Sequence, residues 1–136
     1  MSLYYNRAGE PIGLEEWAKE MDTSEGGIGG RRVAEDTIEI DGFKVWVSTV
    51  WLGTDMSFGS GPPILFETVA FDQDDWDFRN AWRKEHGWNN TPPKRDVWPH
   101  DQEEERWHTE KEALAGHRKI VEAILDHTYH TDQEDS

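Results

Sequence analysis

A chain of 136 residues has room for one domain and one core, and with 35% hydrophobic residues and eight tryptophans it is too aromatic to be wholly disordered. The 14 Lys and Arg against 29 Asp and Glu leave a net charge of −15, the wrong sign for nonspecific nucleic-acid binding. With no cysteine, a disulfide framework, a thiolate zinc site and a Cys nucleophile are excluded, and a reducing cytoplasm fits.

Residues Met1 to Arg7 lack the apolar core of a signal peptide, and the most apolar stretch, Phe43 to Leu52, is far too short to cross a bilayer. A soluble protein without membrane contact is expected. Leu14, Trp17, Ala18 and Met21 fall at i, i+3, i+4 and i+7, the stripe of a short amphipathic helix. The run Gly26-Gly27-Ile28-Gly29-Gly30 reads as a linker, so residues 1–30 form an N-terminal helix and Gly-rich connection.

The sharpest local signal is Thr37-Ile38-Glu39-Ile40, Asp41-Gly42, Phe43-Lys44-Val45-Trp46-Val47. Asp-Gly supplies the two positive φ angles of a type I′ turn, which sets Ile40 opposite Phe43 and Ile38 opposite Val45. One face of this hairpin then carries Ile38, Ile40, Phe43, Val45, Val47 and Trp51. A third strand is expected over 63–71, with bulky residues at both parities and so partly covered on both sides. Residues 31–71 thus read as a β-meander.

The segment 72–105 contains Trp76, Trp82, Trp88 and Trp98, a short helix around Trp76 to Glu85 and a break at Gly87 to Pro93, and reads as a Trp-rich insertion. Its acidic cluster, like those at Asp101 to Glu105 and Asp132 to Asp135, reads as solvated surface rather than as a mimic of the nucleic-acid phosphate track. Residues 106–128 hold the terminal helix, opened by the capping box Thr109-Glu110-Lys111-Glu112, with Leu114, His117, Val121, Ile124, Leu125 and Thr128 on one face. Residues 129–136 form an acidic tail. The expected architecture is an α+β domain: an antiparallel meander of three strands, or slightly more, packs one face on the C-terminal helix. The N-terminal segment and the insertion cover much of the other face.

Chemistry has few places to sit. The connection Gly53 to Pro62 is longer than a hairpin needs and carries three glycines; it is either a ligand loop containing Asp55 or an ordinary loop with Phe58 tucked into the core. It is no P-loop, because no Gly-Lys-Ser/Thr is present and a strand follows. His117 stands on the apolar face of the terminal helix beside Gly116. It is either an acid/base partner of Glu67 or Asp55, within side-chain reach across the sheet, or a core histidine bonded to backbone. Glu67 is in turn either a buried, partnered carboxylate or the solvated residue of an edge strand. His127 and His130, at a fraying helix end, are too weak a pattern for a metal site, and no cofactor is expected. No Gly-x-Ser-x-Gly or His-Glu-x-x-His occurs.

Several of these residues also carry a resemblance. Val47-Ser48-Thr49-Val50-Trp51-Leu52-Gly53, Asp55, Gly61 to Thr68 with its Phe-Glu-Thr, Arg106-Trp107-His108-Thr109 and Glu112 to His117 follow one another in that order. Over roughly residues 32 to 125 the chain resembles a group of small uncharacterised proteins of bacteriophages and prophages, especially those of actinobacteria. It departs from their pattern at Met56, where His often follows the Asp, and in the longer link 72 to 105. The resemblance implies a phage origin and a shared motif set that includes Thr49, Asp55, Glu67 and His117.

Together these readings lead to an expected non-enzymatic phage accessory protein of the host cytoplasm that binds a host or phage protein, with Trp88 and Trp98 as aromatic anchors. One alternative is a small enzyme or binder of a phosphorylated, nucleotide-like molecule, using loop 53–62 with Thr49, Asp55, Phe58, Glu67 and His117. The other is a minor virion component.

Overall fold

Asp41 (φ 52°) and Gly42 (φ 84°) both lie in the left-handed region, the geometry that joins two right-twisted strands in two residues. The computed structural model, which describes residues 3–22, 31–57 and 61–129, accordingly builds a hairpin from β3 (Arg32–Ile40) and β4 (Phe43–Trp51). Ile40 stands opposite Phe43 and Ile38 opposite Val45, as the turn dictates. Before β3, the short strands β1 (Tyr4–Tyr5) and β2 (Pro11–Ile12) pair with each other and lead into α1 (Leu14–Asp22). After the hairpin come β5 (Phe66–Asp72), α2 (Gln73–His86), β6 (Glu104–Trp107) and α3 (Glu110–Leu125). The fold is α+β: an antiparallel four-stranded sheet in the order β3-β4-β5-β6, with α3 across one face.

Strand alternation decides which side chains meet α3. Through the registers of the three pairings, Ile38, Val45, Val47, Thr49, Trp51, Phe66, Thr68, Ala70 and Trp107 share one side of the sheet. That side holds two apolar clusters. Near the hairpin turn, Ile38, Val45, Val47 and Ala70 pack with Trp98, Ile120, Ile124 and Tyr129. At the opposite end, Trp51, Leu65, Phe66 and Ala113 form the second cluster, against which Tyr5, Trp17 and Val33 pack. Between them lie Thr49, Thr68 and His117, all buried.

Several expectations need correction. Arg106 and Trp107 belong to a fourth strand rather than to the terminal helix, because they pair with Glu67 and Phe66. The helix starts at Glu110, where Thr109 accepts from the Glu112 N–H and the Glu112 side chain returns to the Thr109 N–H. Its buried stripe is Ala113, Gly116, His117, Ile120 and Ile124, while Leu114 and Leu125 are exposed. The helix is rotated because Gly116 is pressed against the Trp107 indole: a Cβ there would lie 2.8 Å from Cε2 and closer still to Cζ2 and Cη2. Tyr129 is not tail but core, its ring stacked 6.2 Å from that of Trp98.

The N-terminal segment does not cover the second face. Tyr5 and Trp17 pack on the same side as α3, and the Tyr5 N–H donates to Gly53 O while the Asp55 N–H donates to Leu3 O. The second face instead carries Trp46, Phe71 and Trp76, with ring centroids 5.4 and 5.1 Å apart along the series. Nor is the acidic cluster after β5 simply solvated. Asp72, buried, accepts from the backbone N–H of Asp75 (3.0 Å) and of Trp98 (2.9 Å), and Asp75 pairs with Arg79 at 2.9 Å. Asp72 thereby caps α2 and holds Trp98 at the core. The Gly-rich stretch 26–30 and the tail 130–136 lie outside the described residues.

Candidate functional site

His117 reaches the sheet because Gly116 and Ala113 leave α3 close to it. Its Nδ1 is 2.7 Å from Thr49 Oγ1 and its Nε2 is 2.8 Å from Asp36 Oδ2. Thr49 Oγ1 is 2.6 Å from Thr68 Oγ1, which accepts from Trp107 Nε1–H at 2.9 Å. An indole nitrogen only donates and a carboxylate only accepts. With a neutral imidazole the whole series is then satisfied in one direction: Trp107 donates to Thr68, Thr68 to Thr49, Thr49 to Nδ1, and Nε2–H to Asp36. Five residues from five elements of the fold form one unbroken line.

The terminal part of this line has the constituents of an acid–histidine–hydroxyl triad. Its geometry denies it the corresponding chemistry. Thr49 is 0% and Thr68 1% exposed, and the Thr49 hydroxyl is bracketed by His117 and Thr68, so no substrate carbon has an approach to Oγ1. Asp36, whose side chain is 54% exposed, brings one end of the line to the surface, and the half-buried Trp107 indole forms the other end. The arrangement satisfies buried polar groups between two apolar clusters.

Glu67 is not part of it. Thr68 faces Thr49, so Glu67, one residue earlier and opposite Val50, points to the other side of the sheet. There it accepts from Arg106 Nε at 3.2 Å, and Arg106 also reaches Glu104 at 3.3 Å. Burial raises the Glu67 carboxyl above its usual value, against the lowering effect of Arg106. The expected Glu67–His117 pair is therefore absent, and the histidine is bonded to side chains rather than to backbone. Asp55 is also occupied elsewhere. Its Oδ1 accepts from the backbone N–H of Ser57 (2.8 Å) and Ile64 (3.1 Å), bracing the loop, and hydrogen bonding from Ser57 holds its carboxyl below the ordinary range. Phe58 lies outside the described residues.

Of the two tryptophans expected as anchors, Trp98 is 6% exposed and belongs to the core, whereas Trp88 is 65% exposed. His127 approaches Asp41 at 3.4 Å, His130 lies outside the described residues, and among the described residues no cluster of three or more His, Asp or Glu is placed to hold a metal. No helix among them is long and apolar enough to cross a membrane.

Asp36, Thr68 and Trp107 escaped the sequence reading. Alternation could have found the first two: Asp36 shares the parity of Ile38 and Ile40, and Thr68 that of Phe66 and Ala70. A polar residue at an apolar parity signals a buried partner.

The open feature is elsewhere. Between β6, the edge of the sheet, and α3 runs a groove of about 520 Å³, floored by Trp107, Gly116, Ile120, Ala123 and Tyr129 and flanked by the exposed Ala115. Glu105, His108, Glu112 and Lys119 contribute its polar rim. The small side chains of α3 make room where a larger residue would close the gap, and the floor is apolar with few polar groups, the usual make-up of a binding cleft. No family model matches the chain, nor does any curated protein or solved structure.

Proposed function

We propose that this protein is a non-enzymatic accessory protein of phage origin that acts in the host cytoplasm by binding a host or phage protein, and that the groove between β6 and α3 is the contact site. The observation that carries this reading is the contrast between the two polar constellations. Thr49, Thr68 and His117 are sealed in the core, whereas the groove is open and apolar-floored beside a strand edge that no described residue pairs. Catalysis through Glu67 and His117 would need both on one side of the sheet, and β5 alternation separates them. The phage origin rests on the motif resemblance between residues 32 and 125.

The test is capture of the tagged chain from infected cells alongside the variant Ala115→Trp, which fills the groove from an exposed helix position, and Leu14→Ala, at an exposed position outside it, as a control. A single stoichiometric protein lost from Ala115→Trp and retained by Leu14→Ala is expected. Retention by Ala115→Trp refutes the groove as the site. A co-purifying small molecule, or incorporation of the chain into purified particles, refutes the accessory role.

A further inference from the structure

Resting on the binding role of the groove, we infer that its occupant is an extended polypeptide segment that adds to β6 as a fifth, antiparallel strand, with a Lys or Arg opposite Glu105 and apolar side chains at the flanking inward positions. Among the described residues β6 hydrogen-bonds β5 on one side only. Its other edge presents backbone donors and acceptors, the template that β-strand addition uses. The groove continues this edge inward: side chains of an added strand that point toward α3 pass over Trp107 and onto the Ala115 to Ala123 face. That helix face is about 12 Å long, and inward side chains of a strand recur every ~6.8 Å. An apolar side chain on each side of the central cation, about 13.6 Å apart, therefore brackets that face.

Charge selects the occupant. Arg106 is engaged by Glu67 and Glu104 on the far side of the sheet. Glu105 points the other way, lines the groove, and has no ion-pair partner among the described residues. A cation on the added strand directly opposite Glu105 supplies one. The net charge of −15 draws basic segments from a distance.

A second copy of this chain is the wrong occupant. In an antiparallel pair, opposed residues share a face, so a two-fold pairing of β6 with its own copy must centre on a residue. The two frames that use most of the strand set Arg106 against Arg106, or Glu105 against Glu105 with Glu104 opposite an Arg106 already held by Glu67 and Glu104 of its own copy, and like charges directly opposite destabilise a sheet. The edge resists self-pairing and accepts a strand of opposite charge.

The experiment titrates the full chain with the capped peptide Thr-Val-Thr-Lys-Thr-Val-Thr and with the same peptide carrying Glu for Lys, following backbone amide shifts up to about 1 mM peptide. The Lys peptide should shift amides of residues 103–108 and 115–123, with an affinity at least about tenfold above the Glu peptide's. That ratio should shrink as salt is raised. Ala115→Trp should abolish the shifts, and Glu105→Gln should leave binding in place while erasing the preference for Lys. Equal binding of both peptides in the groove overturns the charge selection. Absence of groove shifts with either peptide overturns strand addition, and the binding role itself stands or falls separately on whether Ala115→Trp still loses the captured protein.

Discussion

Replacing Gly116 by alanine sets two effects of similar size against each other. In a helix interior alanine is favoured over glycine by about 1 kcal/mol, and on that ground alone the variant would be more stable. The added Cβ, however, would lie 2.8 Å from Trp107 Cε2 and nearer still to two other atoms of the same ring, well inside van der Waals contact. The indole must move, and overpacking of this kind costs about 1–3 kcal/mol. Moving it also strains or breaks the 2.9 Å bond from Trp107 Nε1–H to Thr68, worth about 0.5–1.5 kcal/mol. The net expectation is a loss of about 0.5–3.5 kcal/mol. Urea unfolding followed by tryptophan fluorescence and far-UV circular dichroism should show a lower midpoint at unchanged slope. In a Trp107→Leu background the same substitution should become neutral or stabilising by up to about 1 kcal/mol, because the clash is gone. A Gly116→Ala variant at least as stable as the parent, with Trp107 in place, would refute the close approach of helix and strand.

Thr49→Val keeps the side-chain shape but strands His117 Nδ1 and the Thr68 hydroxyl in the core, and should cost about 1–3 kcal/mol in urea unfolding. Asp36→Asn, at the exposed end of the same line, should cost less than about 1 kcal/mol; the reverse order would contradict a buried, fully satisfied series. Burial, followed by the charges of Glu105 and Glu103, pushes the Tyr129 hydroxyl well above its ordinary value. A folded pKa above the unfolded one means that this stabilisation is complete below about pH 10 and is lost as pH rises toward the folded value. Thermal melts from about pH 8 to 12 should fall less steeply for Tyr129→Phe than for the parent, and parallel curves would refute the burial argument.

Where the chain speaks locally, the sequence and the structure agree. Asp41-Gly42 determines the register of β3 and β4, and Thr109 with Glu112 determines where α3 begins; both signals act within four residues. β6 is different. Its four residues, Glu-Glu-Arg-Trp, carry no strand pattern of their own, and they become a strand by pairing with β5, with 39 residues separating Glu67 from Arg106. The partner of His117 is likewise remote, 81 residues away at Asp36. The sequence reading correctly placed His117 against the sheet but named Glu67 as its partner, where a shift of one residue along β5 changes the face. Trp98 sits in a stretch rich in Pro, Lys and Arg that reads as surface, and its burial depends on Asp72, 26 residues earlier, holding its backbone. The groove was illegible for a related reason: it exists only once Trp107 lies against Gly116.

The hydroxyl pair in mid-sheet also acts as an alignment key. On the α3 side, β4 and β5 offer mostly apolar side chains at every second position, so burial alone would tolerate a slip of two residues between them. Such a slip sets Thr49 against Phe66 or Ala70 and Thr68 against Val47 or Trp51. The Thr49–Thr68 hydrogen bond would then be broken inside the core, leaving Thr49 only His117 and Thr68 only Trp107, at a cost of about 0.5–1.5 kcal/mol. Apolar contact holds the layers together, but it is these two threonines that tell the strands which of several equally greasy alignments is correct.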